Sequence, residues 1–269
     1  LGGVVNIITA QPHGPQLRGS ATVHFGSFGD VGVGAAGSGG VGNHSLDAAL
    51  HFTKASGEYP FSYSEFGTSG TRRRQNADFS NLFARAGWSF LGDGMRLSAS
   101  LHGFSSDRGT PGAVVQGSLE QSAARLAERD LFGVAAASFF DAEWMATIGA
   151  TGRANQLRYD DPESRITGPD GTHSRFWRNE GSLAGRVRRQ FGTDRSLEIS
   201  IEVSHAGLDG NNLDPSVGQR VARTQLSTAI AADCTPDKFW EIIEKIDGSI
   251  KLTVTRFGGK QYELQIHTK

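Results

Sequence analysis

Hydrophobic and polar residues alternate along much of this chain with the period of two that is typical of a β-strand. The clearest stretch is SLEISIEVS at 196–204, whose apolar positions are Leu197, Ile199, Ile201 and Val203. Successive side chains of a strand point to opposite faces of its sheet. This stretch therefore predicts a strand with one apolar and one polar face.

Two neighbouring segments show the same alternation on either side of a glycine-rich turn. They are NLFARAGWSFL at 81–91 and MRLSASLHG at 95–103, and Gly92-Asp93-Gly94 separates them. Such a pattern predicts a β-hairpin. The same criteria give ten strand candidates of roughly nine to fifteen residues, near 18–26, 30–38, 44–57, 76–91, 95–106, 128–140, 144–158, 174–191, 196–206 and 219–233.

The connections between these candidates fall into two classes. Short turns alternate with longer polar or glycine-rich segments, which lie near 58–75, 107–127, 159–173 and 207–218. The first connection, GSFGD, is the exception because it is short where a long one is expected. Short turns on one side and long loops on the other are typical of an outer-membrane barrel.

A soluble β-sandwich also alternates, so strand length and the position of aromatic residues must decide between the two folds. The candidates exceed the five or six residues that are most common in globular strands. Aromatic residues also lie beside the short turns, where a barrel carries an interfacial girdle: Trp88, Phe90, Trp144 and Phe191. We therefore predict an all-β fold, an antiparallel transmembrane β-barrel fragment of about ten strands that forms an open, curved sheet.

Composition narrows the candidate chemistry. The chain has 36 Gly and a formal net charge of −1, so its overall charge does not point to nucleic acid as a partner. Its single cysteine, Cys234, excludes an internal disulfide and a cysteine-based zinc site. No His, Cys or Asp cluster has metal-ligand spacing, and no phosphate-loop pattern is complete. We expect neither a metal nor a cofactor.

The first residues carry a resemblance to a known family. The sequence LGGVVNIIT, followed by a Gly/Pro spacer and RGSATVHFGSFG, closely resembles the junction between plug and barrel in TonB-dependent outer-membrane receptors. The segment GTPG at 109–112 is similar to a loop segment of cobalamin and siderophore receptors in that family. The resemblance extends over residues 1–233.

The resemblance implies a partial receptor. Members have a plug inside a 22-stranded barrel and take up a scarce chelate, such as a ferric siderophore or cobalamin, across the Gram-negative outer membrane. We expect the end of the plug at 1–17, with a reading frame that continues upstream, and part of the barrel at 18–233. Outer-membrane lipid, lipopolysaccharide and the chelate would be partners, whereas the TonB complex would contact only the intact receptor. The chain alone is not expected to transport.

The composition changes near Cys234, because five of the six lysines follow it. Residues 234–269 predict a short helix and then a hairpin of KLTVTRF and QYELQIH around Gly258-Gly259. This αββ segment does not look like a further barrel strand. It is a small soluble domain, the remains of one, or an unrelated sequence joined to the barrel.

The loop after the third strand is the candidate ligand-contact region. It combines an aromatic cluster with three consecutive arginines: Tyr59, Phe61, Tyr63, Phe66, Arg72, Arg73 and Arg74. The arginines would attract an anionic chelate or a lipopolysaccharide phosphate, or would only keep the rim of the barrel hydrated. The aromatic rings would contact ligand or lie at the lipid interface.

The alternative is a self-contained ten-stranded outer-membrane barrel, either porin-like or a rim protease. A protease would need acid–base pairs, and the candidate pairs are His102 with Asp107 and His205 with Asp209. No nucleophile motif accompanies either pair. We therefore predict that the chain is not an enzyme and that it has no catalytic residues.

Overall fold

The chain folds into β-structure, and the computed structural model describes residues 16–65, 67–111, 122–164, 169–191, 195–211, 220–233, 250–257 and 260–266. The described residues contain no α-helix. The strands are β1 (Arg18–Phe25), β2 (Val31–Val41), β3 (His44–Ala55), β4 (Pro60–Glu65), β5 (Thr68–Arg73), β6 (Phe79–Gly92), β7 (Met95–Gly109), β8 (Arg125–Phe140), β9 (Trp144–Asp161), β10 (Thr172–Gln190), β11 (Ser196–Gly210), β12 (Arg220–Asp233), β13 (Ile250–Phe257) and β14 (Lys260–Ile266).

One sheet contains twelve of these strands, in the order β1-β2-β3-β6-β7-β8-β9-β10-β11-β12-β13-β14. The ten strands from β1 to β12 all pair antiparallel with their neighbours in the sheet. The sheet does not close, since β1 and β14 lie at its two ends. The prediction of an all-β antiparallel fold with about ten strands in an open sheet is confirmed.

The strands at the long-loop end extend further than the sequence indicated. Strand β7 continues to Gly109, β8 begins at Arg125 and β9 continues to Asp161. The β7–β8 and β9–β10 connections are therefore shorter than predicted. The alternation in the sequence predicted strand ends near 106 and 158 and a strand start near 128. Backbone pairing continues beyond these positions because polar side chains are also compatible with a hydrogen-bonded ladder.

The segment 58–75 is not wholly a loop, contrary to the prediction. Within it, β4 and β5 form a two-stranded antiparallel hairpin that is separate from the main sheet. Its sequence, PFSYSE followed by TSGTRR, is rich in the aromatic, Ser and Thr residues that form small, solvated hairpins. The polarity of this segment is what predicted a loop.

The register divides the side chains of the main sheet between two faces, because antiparallel partners lie on the same face. Trp88 faces Ala99, and Ala99 faces Ala135, so one face is apolar. Arg186 faces Ser200 on the opposite, polar face. The faces predicted for 81–91 and for 196–204 are confirmed. The apolar face carries, among others, Leu46, Leu50, Leu82, Trp88, Leu101, Leu131, Ile148, Trp177, Leu183, Ile199, Ile201 and Leu226.

The main sheet has no hydrophobic core of the usual kind. Ala124 is the one buried hydrophobic residue among those that the structure describes. Side chains in the middle of the apolar face remain largely exposed, including Leu183 at 58%, Ile201 at 50% and Leu226 at 65%. Within the described part of the chain, no second layer covers this face.

The C-terminal strands partly match their prediction. Strands β13 and β14 pair antiparallel as expected for a hairpin, and β13 also pairs in parallel with β12 at Ile230 and Leu252. The predicted helix after Cys234, the Gly258-Gly259 turn and most of the predicted plug end lie outside the described residues.

Candidate functional site

The bases of the long loops are tied to one another by side chains. The Nδ2 of Asn76 donates to the carbonyl oxygens of Ser122, at 2.8 Å, and of Ala124, at 2.7 Å. Asn76 has a φ of 55°, in the left-handed region that Asn tolerates better than most residues. A Cβ on Gly109 would lie 2.1 Å from the Asn76 carbonyl oxygen, so this junction needs a glycine. The connections before β6 and before β8 therefore meet at Asn76.

Arg125 makes the second tie at this end of the sheet. Its guanidinium donates to Asp78 at 2.9 Å and, through Nε, to Asp107 at 3.1 Å. The hydrogen bond from Arg125 lowers the pKa of Asp78, which precedes β6. The lowered pKa keeps Asp78 ionised at neutral pH, and one cation holds three successive segments together.

His173 makes a third tie, at the long-loop end of β10. Its Nδ1 lies 2.9 Å from a carboxylate oxygen of Asp160, and its Nε2 lies 3.1 Å from the carbonyl oxygen of Asp170. The hydrogen bond to Asp160, and then the one to Asp170, raise the pKa of His173. Only an imidazolium can donate from both nitrogens at once.

The β4–β5 hairpin carries most of the predicted ligand-contact residues and divides them between two faces. Phe61 faces Arg72, and Tyr63 faces Gly70, so these four residues share one face. The guanidinium of Arg72 lies 5.4 Å from the centre of the Tyr63 ring, within cation–π range. A Cβ on Gly70 would lie 2.9 Å from the Tyr63 hydroxyl, so the glycine makes room for the ring.

Arg73 lies on the other side of the hairpin from Arg72, and Arg74 is bound through its backbone. Arg73 lies on the opposite face of the hairpin, where Nη1 is 3.5 Å from Glu58. The backbone N–H of Arg74 donates to the carbonyl of Tyr59 at 2.8 Å. Arg72 and Arg73, which are consecutive in sequence, therefore do not share one surface of the hairpin. Phe66 lies outside the described residues.

Contacts at its base hold the hairpin against the main sheet. Gly57 has a φ of +63°, and a Cβ there would lie 1.9 Å from the carbonyl oxygen of Ala77. The hydroxyl of Ser56 donates to the carbonyl oxygen of Phe28 at 2.7 Å. The ring of Phe28 also lies 5.6 Å from that of Tyr59. The candidate residues thus extend from an anchored base.

The polar face carries ion pairs that cross from strand to strand. Their shortest distances are 3.4 Å for Arg85 with Asp47, 2.8 Å for Arg153 with Asp130 and 3.2 Å for Arg186 with Glu198. Such cross-strand pairs stabilise a wetted sheet face. Near-balanced charge along the strands explains why the net charge of the chain carried no functional signal.

An aromatic group on the polar face was missed by the sequence analysis. Phe83 and Phe132 flank His102, with ring centres 6.4 and 6.0 Å from it, beside a hollow of about 460 Å³. Phe83 was a visible signal, because it interrupts the polar positions of β6. The hollow offers ring surfaces to any group that approaches this face.

The acid–base pairs of the protease alternative are not assembled. His102 lies on the polar face, whereas Asp107 lies on the opposite parity of the same strand and binds Arg125. His205 instead has its Nδ1 2.9 Å from the hydroxyl of Thr224. In the part of the chain that the structure describes, no group of three or more His, Cys, Asp or Glu could hold a metal.

Comparisons with known proteins add no identity. No protein-family model matches this chain, and no curated protein sequence matches it. The described part of the chain contains no helix that is long and apolar enough to cross a membrane. The features that bear on function are therefore the main sheet and its two faces.

Proposed function

We propose that this chain forms part of the wall of a TonB-dependent outer-membrane receptor that takes up a scarce chelate, and that it does not transport alone. The observation that supports this proposal is the exposed apolar face of the main sheet. Its ten antiparallel strands present large hydrophobic side chains to the surroundings. Such a face suits lipid, and the opposite face suits a water-filled interior.

A soluble sandwich would use this face differently. Soluble sheets pack their apolar faces against a second layer. Monomeric soluble proteins rarely expose continuous apolar patches larger than a few hundred Å². Here Leu46, Leu101, Ile148 and Leu183 are each at least half exposed on four different strands of the same sheet. Lipid chains would cover such a surface without a second protein layer.

The spacing of aromatic residues supports the same proposal. All three described tryptophans lie on the apolar face, with Trp88 and Trp144 near the short turns and Trp177 near the long loops. Arg189 of β10 is the register partner of Trp144, so it marks the level of Trp144 on the strand that carries Trp177. The two tryptophan levels are therefore twelve residues apart along β10, from 177 to 189. At ~3.3 Å per residue and a tilt of about 40°, this separation is roughly 30 Å. That height is close to the apolar band of outer-membrane barrels.

The resemblance of the first residues favours a receptor over a self-contained barrel. Closing the ten strands into a barrel would require β1 to pair with β12. The edge of β12 that β1 would need is already paired with β13. Closure at ten strands also demands a narrower cylinder, with a different tilt and stagger. A self-contained ten-stranded barrel would therefore require β13 to leave the edge of β12 and the sheet to curve more tightly.

The β4–β5 hairpin is our candidate for ligand contact. Arg72 and Tyr63 share a face, and together they offer a cation and a ring to an anionic chelate that has aromatic arms. A ferric catecholate titrated against the detergent-solubilised chain should bind several-fold more weakly after Arg72→Gln. Arg188→Gln, which changes the polar face near the short turns, should leave the affinity unchanged.

The wall itself is tested by replacing neighbouring residues that point to opposite faces. In a variant without other tryptophans, a probe is introduced either by Ala99→Trp, on the apolar face, or by Ser98→Trp, on the polar face. Each protein is placed in mixed micelles that contain a phosphatidylcholine brominated on its acyl chains. Micelles are suitable because they do not force the open sheet edges into hydrocarbon.

We expect strong quenching for the Ala99→Trp probe and weak quenching for the Ser98→Trp probe. The native Trp88, Trp144 and Trp177, each studied as the sole tryptophan, should be quenched as strongly as the Ala99→Trp probe. Equal quenching of the two probes, or no quenching of the native tryptophans, would contradict the assignment of the apolar face to lipid.

A further inference from the structure

A groove lies on the apolar face near its long-loop boundary. Its floor contains the small residues Ala84, Gly103 and Ala154, and the larger side chains around it include Leu82 and Trp177. The groove encloses about 520 Å³. A Cβ placed on Gly103 would meet no atom within 4 Å, so the space above this glycine is open.

The arginine at the rim of this groove differs from its neighbours. Arg125 is bound by two aspartates, and Arg158 pairs with Asp160. Arg129 lines the groove and is exposed, and no carboxylate in the described part of the chain lies within ion-pair distance of it. It faces Ser105 and Gln156, which are polar but neutral. An unmatched positive charge therefore stands directly beside an apolar depression.

We propose that this groove binds one membrane lipid with a phosphate headgroup, whose acyl chain lies on Gly103 and whose phosphate contacts Arg129. The inference rests on the proposed function, because it requires the apolar face to contact lipid. A guanidinium forms strong, charge-assisted hydrogen bonds with phosphate oxygens. The side-chain amide of Gln156 supplies a further donor at the same rim.

The position of the groove favours a lipid over a soluble anion. The register row of Arg129 runs through Gln156 to Trp177 and on to Asp209 in β11. Interfacial tryptophans mark the level of lipid headgroups. The next row toward the short turns contains Leu131 and Ala154, which are apolar. A ligand that satisfies both rows needs a charged head and a hydrocarbon tail.

Trp177 provides the measurement, because it lines the groove. The full chain, with Trp177 as its sole tryptophan, is placed in mixed micelles of neutral lipid and detergent. A small fraction of brominated phosphatidylglycerol is added in one arm, and the same fraction of brominated phosphatidylcholine in the other. We expect the anionic lipid to quench Trp177 roughly fivefold more effectively, the factor expected for one arginine near an anionic headgroup.

Two variants should abolish this preference by different routes. Arg129→Gln removes the charge, and Gly103→Leu places a side chain in the groove at a position where a Cβ meets no atom within 4 Å. Gly37→Leu is the matched control. Gly37 belongs to β2 and lies on the same apolar face of the main sheet, far from the groove. The nearest atom to a Cβ added at Gly37 is at 3.7 Å. The control should retain the full preference.

The outcomes separate the two proposals. Equal quenching by both lipids, or a preference that survives both Arg129→Gln and Gly103→Leu, would overturn the lipid site while leaving the membrane wall intact. A Trp177 that neither lipid quenches would overturn the membrane wall, and the lipid site with it.

Discussion

Arg125→Gln should loosen the long-loop end of the sheet without affecting its short-turn end. Arg125 is the common partner of Asp78 and Asp107, and its side chain is 43% exposed. Glutamine keeps a hydrogen-bonding group but removes the charge that both aspartates share. The two carboxylates would then lack their cation, and the connection before β6 would lose its fastening to β8.

The expected magnitude follows from this exposure. Half-exposed ion pairs contribute about 0.5–1 kcal/mol each, so the two pairs together contribute about 1–2 kcal/mol. A loss of this size raises the population of locally open states about five- to thirtyfold. The affected backbone bonds are those from the N–H of Gly109 to Asp78 and from the N–H of Thr110 to Ala124, both 2.9 Å long.

Amide hydrogen exchange in detergent micelles measures this effect directly. Exchange at Gly109 and Thr110 should accelerate by the stated factor. The amide of Leu91, whose bond to Asn43 is also 2.9 Å long, lies at the short-turn end and should not change. Arg188→Gln serves as the control variant, because it removes an arginine far from these loops.

The pH dependence provides a second check on the same reasoning. Because the hydrogen bond from Arg125 lowers the pKa of Asp78, its stabilising contribution is complete at neutral pH. The contribution disappears as the pH falls through that lowered pKa. The difference between wild type and variant should therefore shrink in acid. Unchanged exchange at Gly109, or a difference that persists in strong acid, would refute the role assigned to Arg125.

Three further predictions concern closure, topology and pH. After refolding in detergent, the chain should show no compact, heat-modifiable, protease-resistant band on an unboiled gel, and such a band would favour the ten-stranded barrel. In outer-membrane barrels the long loops face the exterior and the short turns face the periplasm. On whole cells that carry an intact receptor, an impermeant reagent should therefore label Ser69→Cys but not Asp93→Cys, and the reverse pattern would contradict this orientation. Because the pKa of His173 is raised, its tie should hold below the ordinary value of 6.5 and loosen as the pH rises through the raised value; exchange at Thr172 should follow this pH dependence in wild type but not in His173→Gln.

The strands were predictable because their signal is local and repeated. In β11, every second residue from Leu197 to Val203 is apolar, and a shift of one residue would move all of them to the wrong face. The strand thus specified its own face before any partner was known. The same pattern predicted β6 and β7 correctly, and the turn between them at Asp93 and Gly94 could also be predicted from the sequence.

The ties between loops were not predictable from single segments. Asn76 binds carbonyls that lie 46 and 48 residues further along the chain, and nothing near Asn76 indicates these partners. Arg125 and Asp78 are likewise 47 residues apart. The glycines at 57 and 109 were visible, but the backbone atoms that exclude a side chain there come from other connections. Such constraints become visible only in three dimensions.

The candidate hairpin shows the same limit in a functional setting. Its arginines and aromatic rings were identifiable by composition, whereas their division between two faces depends on the pairing of β4 with β5. Consecutive residues of a strand alternate, so Arg72 and Arg73 could not share a face once this segment became a strand. Treating the segment as a loop concealed that consequence.

The two edges of the sheet connect the fold with the proposed function. Strand β1 has a single neighbour, β2, so the N–H and C=O groups along its other edge have no strand partner in the described part of the chain. In hydrocarbon each such group costs several kcal/mol, and a wall that faces lipid must pair them. Hydrophobic contact along the apolar face adds about 1 kcal/mol for each half-exposed side chain that lipid covers. The apolar face therefore lowers the free energy of the sheet in a membrane, whereas the unpaired edge of β1 raises it. A further strand paired with β1 would bind the unpaired groups of that edge and leave the apolar face in contact with lipid.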